Sequence, residues 1–422
     1  MVMEVDEDEG YKAERAYVAL LHGENKTFLL YAASFQPELG QLRTGPRKSF
    51  VEHNASHVDC AGEHVKSLSA IWEVEEVDLV DCPVADKSRR KRHRYVFTKL
   101  RCLEVPYRRI IFLDLDVIVR SSPAPLFEVP APAGMYHGRW DRGQAQHGVP
   151  LPPEAFYDDG CIGCVNAGLL RFDPPANSSA RRALVKNMLE QVKALSKSDE
   201  SYLPEQYFMV KELNGWHHIA VAWNCEVNPE WFIQYGRGKR RAHSVLKAEM
   251  HDDWWKLGGT EEELRKNVHM FHFSGQWLQP WWYIHLDPED AMKVIKKHYA
   301  CRDKRGMIAL AVGDWLRGIQ ELQKSDEYSA EQAVFQEIID ELKHKARRWW
   351  EEVSLCKLCK NPKEEGEDLC EECEVQSHKD DKENGHAGTC AREKHNAKSV
   401  KRSGQARWGR KKRSPKKFDS GG

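Results

Sequence analysis

The stretch RIIFLDLDVIVRSSPAPLF, residues 109–127, joins an apolar run to two aspartates, Asp114 and Asp116. A run of Ile, Phe and Leu is typical of a strand that is buried in a parallel sheet. Carboxylates are costly there unless they are paired or bind a metal. Residues two apart on an extended chain point to the same face, so the stretch predicts two carboxylates that approach one hard cation. The alternative is a strand that ends in a solvated turn.

Strand and helix patterns alternate on both sides of this stretch. In chain order they are a strand at 14–23, a helix or second apolar segment at 26–35, a strand at 73–84, a helix at 95–105, the strand before Asp114, a long Pro- and Gly-rich loop at 123–153, a strand at 164–174, helices at 179–195 and 204–213, and a helix at 327–352. This alternation predicts an α/β fold with a mostly parallel sheet. Ligands of such sheets bind at the carboxyl ends of the strands.

Composition places the 422-residue chain among globular proteins, with 41% hydrophobic and 31% charged residues. The formal net charge of −1 indicates no particular partner. The amino terminus lacks the basic and apolar regions of a secretory signal, and no apolar run reaches the roughly 20 residues of a membrane span. These features predict a cytoplasmic protein.

Four segments occur in an order that resembles glycosyltransferase family 8, in particular its glycogenin-like members. They are FTKLRCLEVPYRRIIFLDLDVIVRSSPAPLF, VNAGLLRFDP, PEQYFMV and VHMFHFSGQWLQPW, and the resemblance covers about residues 15–285. It implies a GT-A fold, which is a Rossmann-like domain for nucleotide-diphospho-sugars. It also implies a metal-dependent, retaining transfer of a hexose from a UDP-sugar to an acceptor hydroxyl. The sugar stays open, as does the acceptor, which is a protein, a glycan, a lipid or a small polyol.

The resemblance implies roles for single residues. Asp114, Asp116 and His272 would ligate Mn²⁺ or Mg²⁺, although His269 and His272 also fit core histidines by position alone. Glu205 and Gln206 match the catalytic pair beside the anomeric carbon, which acts in a double displacement or in a front-face attack. The predicted donor-binding positions are Leu20, Leu21, His22, Gly23, Arg90, Lys99, Asp114, Leu115, Asp116, Asn166, Ala167, Gly168 and Gly275. Among them, Arg90 is a hypothesis from its charge and not from the resemblance.

Two positions depart from the family pattern. Glu205 replaces an aspartate and is longer by one methylene. Gln279 stands where the family usually has a lysine before Pro-Trp, and the loop has an extra residue. We expect UDP binding that is retained but weaker, with Arg90 or Lys99 contributing more of the positive charge.

The carboxyl-terminal segment has a different composition. Cys356, Cys359, Cys370 and Cys373 have the C-x2-C-x10-C-x2-C spacing of a structural Zn²⁺ site, and a basic run follows at 407–418. The alternative is a disordered tail that contains cysteines. The expected domains are an acidic flexible amino terminus (1–14), the GT-A domain (15–320), a helical extension (321–352), a zinc module (353–375) and a disordered basic tail (376–422).

This tail supports a second function class. The chain would then be a catalytically weak transferase-like adaptor, whose zinc ribbon and basic tail bind protein or nucleic acid. The basic run is compatible with a polyanion contact and with a nuclear location. A homodimer stays open. Release of UDP from a UDP-sugar distinguishes the enzyme from the adaptor.

Overall fold

The computed structural model describes residues 10–21, 28, 30–31, 47–52, 72–84, 94–136, 146–152, 156, 165–195, 204–227, 257–274, 279–298, 306–324 and 332–354. The chain divides into two compact units, Met1–Glu352 and Val353–Gly422. Cys356, Cys359, Cys370, Cys373 and the basic tail lie outside the described residues.

The described strands and helices alternate along the chain. The strands are β1 (Ala13–Leu21), β2 (Arg47–Glu52), β3 (Glu73–Val77), β4 (Tyr107–Leu113), β5 (Val117–Val119), β6 (Ala133–Tyr136), β7 (Val165–Phe172), β8 (His217–His218), β9 (Cys225–Glu226) and β10 (Met270–His272). The α-helices are α1 (Ser178–Ala194), α2 (Pro204–Glu212), α3 (Glu261–Asn267), α4 (Pro288–His298), α5 (Met307–Lys324) and α6 (Gln332–Ser354). None of these helices combines the length and apolar character that a membrane span requires.

Seven of the described strands form one mixed sheet, in the order β3-β2-β1-β4-β7-β6-β8. The three pairs β3-β2, β2-β1 and β1-β4 are parallel, as predicted. β7 is antiparallel to both β4 and β6. The amino end of β7 therefore lies beside the carboxyl end of β4, where Leu113 pairs with Leu169.

The predicted elements are largely present, with several changes. The strand predicted at 73–84 ends at Val77. Residues Val96–Glu104 form a 3₁₀ helix rather than an α-helix. The predicted loop at 123–153 is wrong in part, because it contains a 3₁₀ helix at Ala124–Glu128 and the strand β6. All four β6 residues are buried between β7 and β8, and this tertiary pairing outweighs the local turn signals. The sequence also provided no prediction of β2, β8, β9, α3, α4 or α5.

Both faces of the main sheet are buried, which explains the apolar run before Asp114. Alternate strand residues point to opposite faces. Tyr17 and Ile111 belong to the core that contains much of α5. Val18 and Phe112 belong to the other core, with the Val96–Glu104 helix and α1. Burial on both sides stabilises a rigid strand up to its last residue, Leu113.

Asp114 and Asp116 lie on the turn that leads from the main sheet into a second one. β5 pairs with β10 and β10 with β9, which gives a three-strand sheet among the described residues. The prediction that both aspartates continue an extended strand is therefore wrong, because the chain turns after Leu113 to reach the second sheet. The backbone N–H of Asp114 donates to Gly168 O at 2.8 Å, and Phe273 N–H donates to Asp116 O at 2.8 Å. Each aspartate is thus anchored to a different distant segment.

Candidate metal centre

Three side chains with metal-ligand chemistry converge at this turn. Ligand atoms of Asp114, Asp116 and His272 lie within 4.8 Å of one another, and no other such group occurs in the described part of the chain. His272 Nε2 is 3.3 Å from Asp116 Oδ1. β10 brings the histidine to the turn because Val117 pairs with His272 across the second sheet. The three residues predicted as metal ligands are therefore brought together.

Lys99 lies beside the first aspartate. Its Nζ is 2.8 Å from Asp114 Oδ1 and 2.9 Å from Oδ2. It also donates a longer bond of 3.4 Å to Ala167 O. Burial would lower the pKa of Lys99, but Asp114 and Glu205 outweigh that effect and raise it. A permanent positive charge therefore adjoins one of the candidate metal ligands.

His272 is held on two sides. Its Nδ1 is 2.9 Å from Asn224 Oδ1. Its ring adjoins the backbone of Gly168, since a Cβ placed there would come within 2.6 Å of Nδ1 and closer to Cε1. Burial would lower the pKa of His272, but the carboxylates, with Asp116 first among them, raise it above the ordinary value.

A buried polar network extends from Asn224 to β7 and β9. Asn224 Nδ2 donates to Asn166 Oδ1 at 2.9 Å, and Gly168 N–H donates to the same oxygen at 2.8 Å. Asn166 Nδ2 donates to Glu226 Oε1 at 3.0 Å. Sequence reasoning found Asn166 but missed Asn224 and Glu226. The only signal for Asn224 and Glu226 in the sequence is that two polar residues, separated by one position, occur in an apolar segment.

Glu205 and Gln206 are buried in the first turn of α2. Glu205 Oε2 and Gln206 Oε1 accept no hydrogen bond from any described residue. Burial raises the pKa of Glu205, and Lys99 opposes that shift. This mutual effect indicates that the carboxyl group lies near Lys99. Unsatisfied buried oxygens are costly and are typical of sites that receive a ligand.

The remaining predicted positions divide into two groups. Leu20 and Leu21 end β1, which pairs with β4 up to Ala19 and Leu113, so they lie at the same edge as the aspartates. Leu115, between the aspartates, is buried in the core, and so is Ala167. Outside the described residues lie His22, Gly23, Arg90 and Gly275.

His269 has a different environment from His272. Its Nδ1 is 2.9 Å from Ser121 Oγ, and its ring stacks on Trp223 at 4.1 Å. Burial lowers its pKa, and Arg120 adds to the shift. Among the described residues it is not part of the candidate metal group, and its contacts are with Ser121 and Trp223.

Comparisons with known proteins give distant likenesses. No protein-family model matches the chain. The uncharacterized protein R707 of Acanthamoeba polyphaga mimivirus is 25% identical over 283 residues, which cover 64% of this chain and 84% of that protein.

Several solved glycosyltransferases are similar at low identity. The galactosyltransferase LgtC, in complex with donor and acceptor sugar analogues, has a TM-score of 0.40 at 14% identity. The similar region covers 64% of this chain and 89% of the LgtC chain. The bifunctional glycosyltransferase WbbM has a TM-score of 0.38 at 12% identity, with coverages of 64% and 47%. Mouse xyloside xylosyltransferase 1 has a TM-score of 0.35 at 16% identity, with coverages of 62% and 98%. All three TM-scores are below 0.5.

The donor set fits a divalent cation. Carboxylates suit Mg²⁺ and Mn²⁺, and an imidazole ligand favours Mn²⁺ over Mg²⁺. A cation held by two aspartates and one histidine would keep further coordination positions for oxygen atoms of a substrate or of water. The charges of Asp114 and Asp116 are only partly balanced by Lys99, so the site has room for a further positive charge.

Proposed function

We propose that the chain is a metal-dependent glycosyltransferase that transfers a hexose from a UDP-sugar to an acceptor hydroxyl. The observation that carries the proposal is the convergence of Asp114, Asp116 and His272 at the edge where β1 and β4 end. Ligands of open α/β sheets bind at such an edge. The ordered motifs that resemble family 8 glycosyltransferases support the same reaction.

Asp114, Asp116 and Nε2 of His272 would hold Mn²⁺ or Mg²⁺. When bound, the cation neutralises the negative charge of the donor diphosphate as it leaves. Lys99, which pairs with Asp114, keeps a second positive charge at the same end of the donor. Electrostatic stabilisation of this kind acts most strongly where water is excluded. His272 is buried, and the side chain of Lys99 is only 13% exposed.

Glu205 Oε2 and Gln206 Oε1, which accept no hydrogen bond from a described residue, would face the reacting carbon of the sugar. In the transfer, the bond from the anomeric carbon to the diphosphate oxygen breaks and a bond to the acceptor oxygen forms. The acceptor proton leaves to a base. We propose retention of configuration, with these oxygens acting either as a nucleophile or as stabilisers of an oxocarbenium-like transition state.

A donor screen tests the proposal. The full chain is incubated with Mn²⁺ and each of several UDP-sugars, and UDP release is measured. We expect release with at least one donor, its loss with EDTA, and a decrease of about 100-fold or more in Asp114→Asn. The matched control is Asp290→Asn, because that aspartate is exposed on α4 and, among the described residues, pairs with Lys293 on the same helix. Release that persists in Asp114→Asn contradicts the metal site.

The adaptor function and the structural Zn²⁺ site stay proposals for the segment beyond residue 354. A chain that releases UDP from no donor, while its tail binds nucleic acid, would favour the adaptor. Zinc content is measured separately, by comparing the full chain with the variant in which Cys356 and Cys359 are replaced by serine. The two results are independent of each other.

A further inference from the structure

We infer that Asn224 is a positioning residue that sets the tautomer and orientation of His272, so that Nε2 presents its lone pair to the metal. The inference rests on the proposed metal site and adds a residue to it. Asn224 touches neither aspartate in any described hydrogen bond. It acts through the imidazole, at the ring nitrogen opposite the one that would bind the metal.

Gly168 and Glu226 determine the direction of the hydrogen bonds in this network. A backbone N–H can only donate, and a carboxylate accepts. Gly168 N–H bonds to one side of the Asn166 amide, and Glu226 Oε1 bonds to the other. Asn166 must therefore turn its Oδ1 to Gly168 and its Nδ2 to Glu226. Two groups of known polarity thus orient this amide.

The orientation passes from Asn166 to Asn224. Asn166 Oδ1 faces the side chain of Asn224 at 2.9 Å, and two oxygens cannot bond to each other. Asn224 must place its Nδ2 there, which turns its Oδ1 to His272. The imidazole Nδ1 then has to carry the proton that Oδ1 accepts, at 2.9 Å. In a neutral imidazole, Nε2 is left as the acceptor.

The direction of this network matches the need of a metal ligand. Nε2, the nitrogen that remains unprotonated in the neutral ring, is also the nitrogen nearest Asp116. Metal-binding histidines usually donate their other N–H to such a partner, and its loss typically weakens metal binding about 10- to 100-fold. Asn166, Asn224, Glu226 and His272 are each at most 7% exposed, so water cannot readily replace a missing partner.

Three variants test the inference in the full chain, with Mn²⁺ alone as the probe. Asn224→Leu keeps the size of the side chain and removes both hydrogen bonds. Asn224→Asp keeps an oxygen that accepts from Nδ1, whether or not the carboxyl group is protonated. Val185→Ala is the control for lost stability. Val185 is buried on α1, in the core that contains Val18 and Phe112. The neighbours of His272 in β10 belong to the other core.

Mn²⁺ affinity is measured by titration of the free-ion EPR signal, and the ¹⁴N coupling of bound Mn²⁺ reports the imidazole ligand. We expect Asn224→Leu to bind Mn²⁺ about 10- to 100-fold more weakly and to lose the coupling. Asn224→Asp retains the coupling and an affinity within about 3-fold, although a buried carboxyl group destabilises it more than leucine does. A role in packing alone predicts the opposite order of the two variants.

The outcomes separate this inference from the proposed function. Equal affinity and coupling in Asn224→Leu and the unaltered chain would overturn the inference, and so would equal losses in the Leu and Asp variants. Should Asn224→Leu fail to fold, Asn224→Ser replaces it, since its hydroxyl is too short to reach Nδ1. A chain whose Mn²⁺ coupling is abolished by His272→Ala, but which releases UDP from no donor, contradicts the proposed function and leaves the inference intact. Absence of coupling in the unaltered chain overturns the inference.

Discussion

The imidazole of His272 occupies the space that any side chain at position 168 would need. A Cβ on Gly168 would lie 2.6 Å from Nδ1 and 2.9 Å from Nε2. Real Cβ atoms do not approach other atoms so closely. The glycine in the β7 segment and the histidine in β10 are therefore a matched pair, although they are far apart in the sequence.

Gly168→Ala should disrupt the metal centre. The added methyl group would push the ring away from Asn224 and Asp116, because the backbone on the other side cannot move freely within the sheet. We expect Mn²⁺ binding to weaken by about 10-fold or more. Gly259→Ala is the control, since a Cβ there meets only the end of Glu263 at 4.0 Å. Unchanged Mn²⁺ affinity in Gly168→Ala would contradict the placement of His272.

Lys99→Met should separate metal binding from catalysis. Removing the ammonium group leaves Asp114 without its ion pair. In the absence of metal, we expect this loss to lower the free energy of unfolding by about 1–3 kcal/mol. Mn²⁺ should bind a few-fold more tightly than in the unaltered chain, because a nearby like charge is gone, while UDP release decreases. Thermal unfolding with and without Mn²⁺ measures the first effect, and EPR titration the second.

The control for that variant is Lys12→Met, which breaks a comparable ion pair with Glu73 at the surface. Surface pairs contribute about 0–1 kcal/mol, so this variant should leave both stability and Mn²⁺ binding nearly unchanged. Weaker Mn²⁺ binding in Lys99→Met would indicate that the lysine organises the aspartates rather than competes with the cation.

Glu205→Gln should stabilise the fold and impair the reaction. Burial raises the pKa of Glu205, so the folded chain binds a proton more readily than the unfolded one. The cost of the charged form is therefore absent below the ordinary carboxyl pKa and grows as the pH rises toward the raised value. At neutral pH, Glu205→Gln removes that cost, whereas hexose transfer, measured as UDP release, decreases about 100-fold or more. Unfolding free energies at pH 4 and 8 check the sign. A variant that is less stable at pH 8 contradicts it.

The contact between α3 and α4 predicts the opposite dependence on pH. Glu261 bonds to Lys296 at 2.6 Å and to Arg265 at 2.8 Å. Burial would raise the pKa of Glu261, but the bonds from Lys296 and Arg265 lower it overall. Its stabilisation is therefore present above the ordinary carboxyl pKa and is lost as the pH falls through the lowered value.

Glu261→Gln should accordingly lower the unfolding free energy by about 0.5–1 kcal/mol at pH 7. The difference from the unaltered chain should disappear in acid. Denaturant unfolding over a range of pH measures it, with Glu262→Gln on the same helix turn as the control. A constant difference at all pH values would show that the ion pairs are not its source.

Some long regular elements, such as β4 and α1, were predictable because their signals are local, whereas the helix α5 was not predicted. The apolar run before Asp114 is a strand because it is buried on both faces, and α1 begins after Asn177, whose side chain caps Ala180 N–H. β6 was not predictable, since its four residues become a strand only by pairing with β7. The 3₁₀ geometry of the Val96–Glu104 helix was not predictable either, because the composition of this segment also suits an α-helix.

The candidate site shows the same division. Asp114, Asp116, Lys99 and His272 could be chosen from the sequence because their residue types and order resemble a known motif set. Asn224 and Glu226 could not, because amides and carboxylates act here through partners on other strands. Their significance depends on directed hydrogen bonds over distances of about 3 Å, which no local pattern encodes.

The sequence by itself determined the apolar strands, the amphipathic helices and the kinds of ligand that could hold a cation. Short-range sterics and hydrophobic periodicity are properties of neighbouring residues, so they can be read along the chain. Only the tertiary structure decided that the aspartates lie on a turn between two sheets and that Gly168 makes room for His272. Those outcomes depend on contacts between distant segments, whose geometry is defined only when both cores are packed.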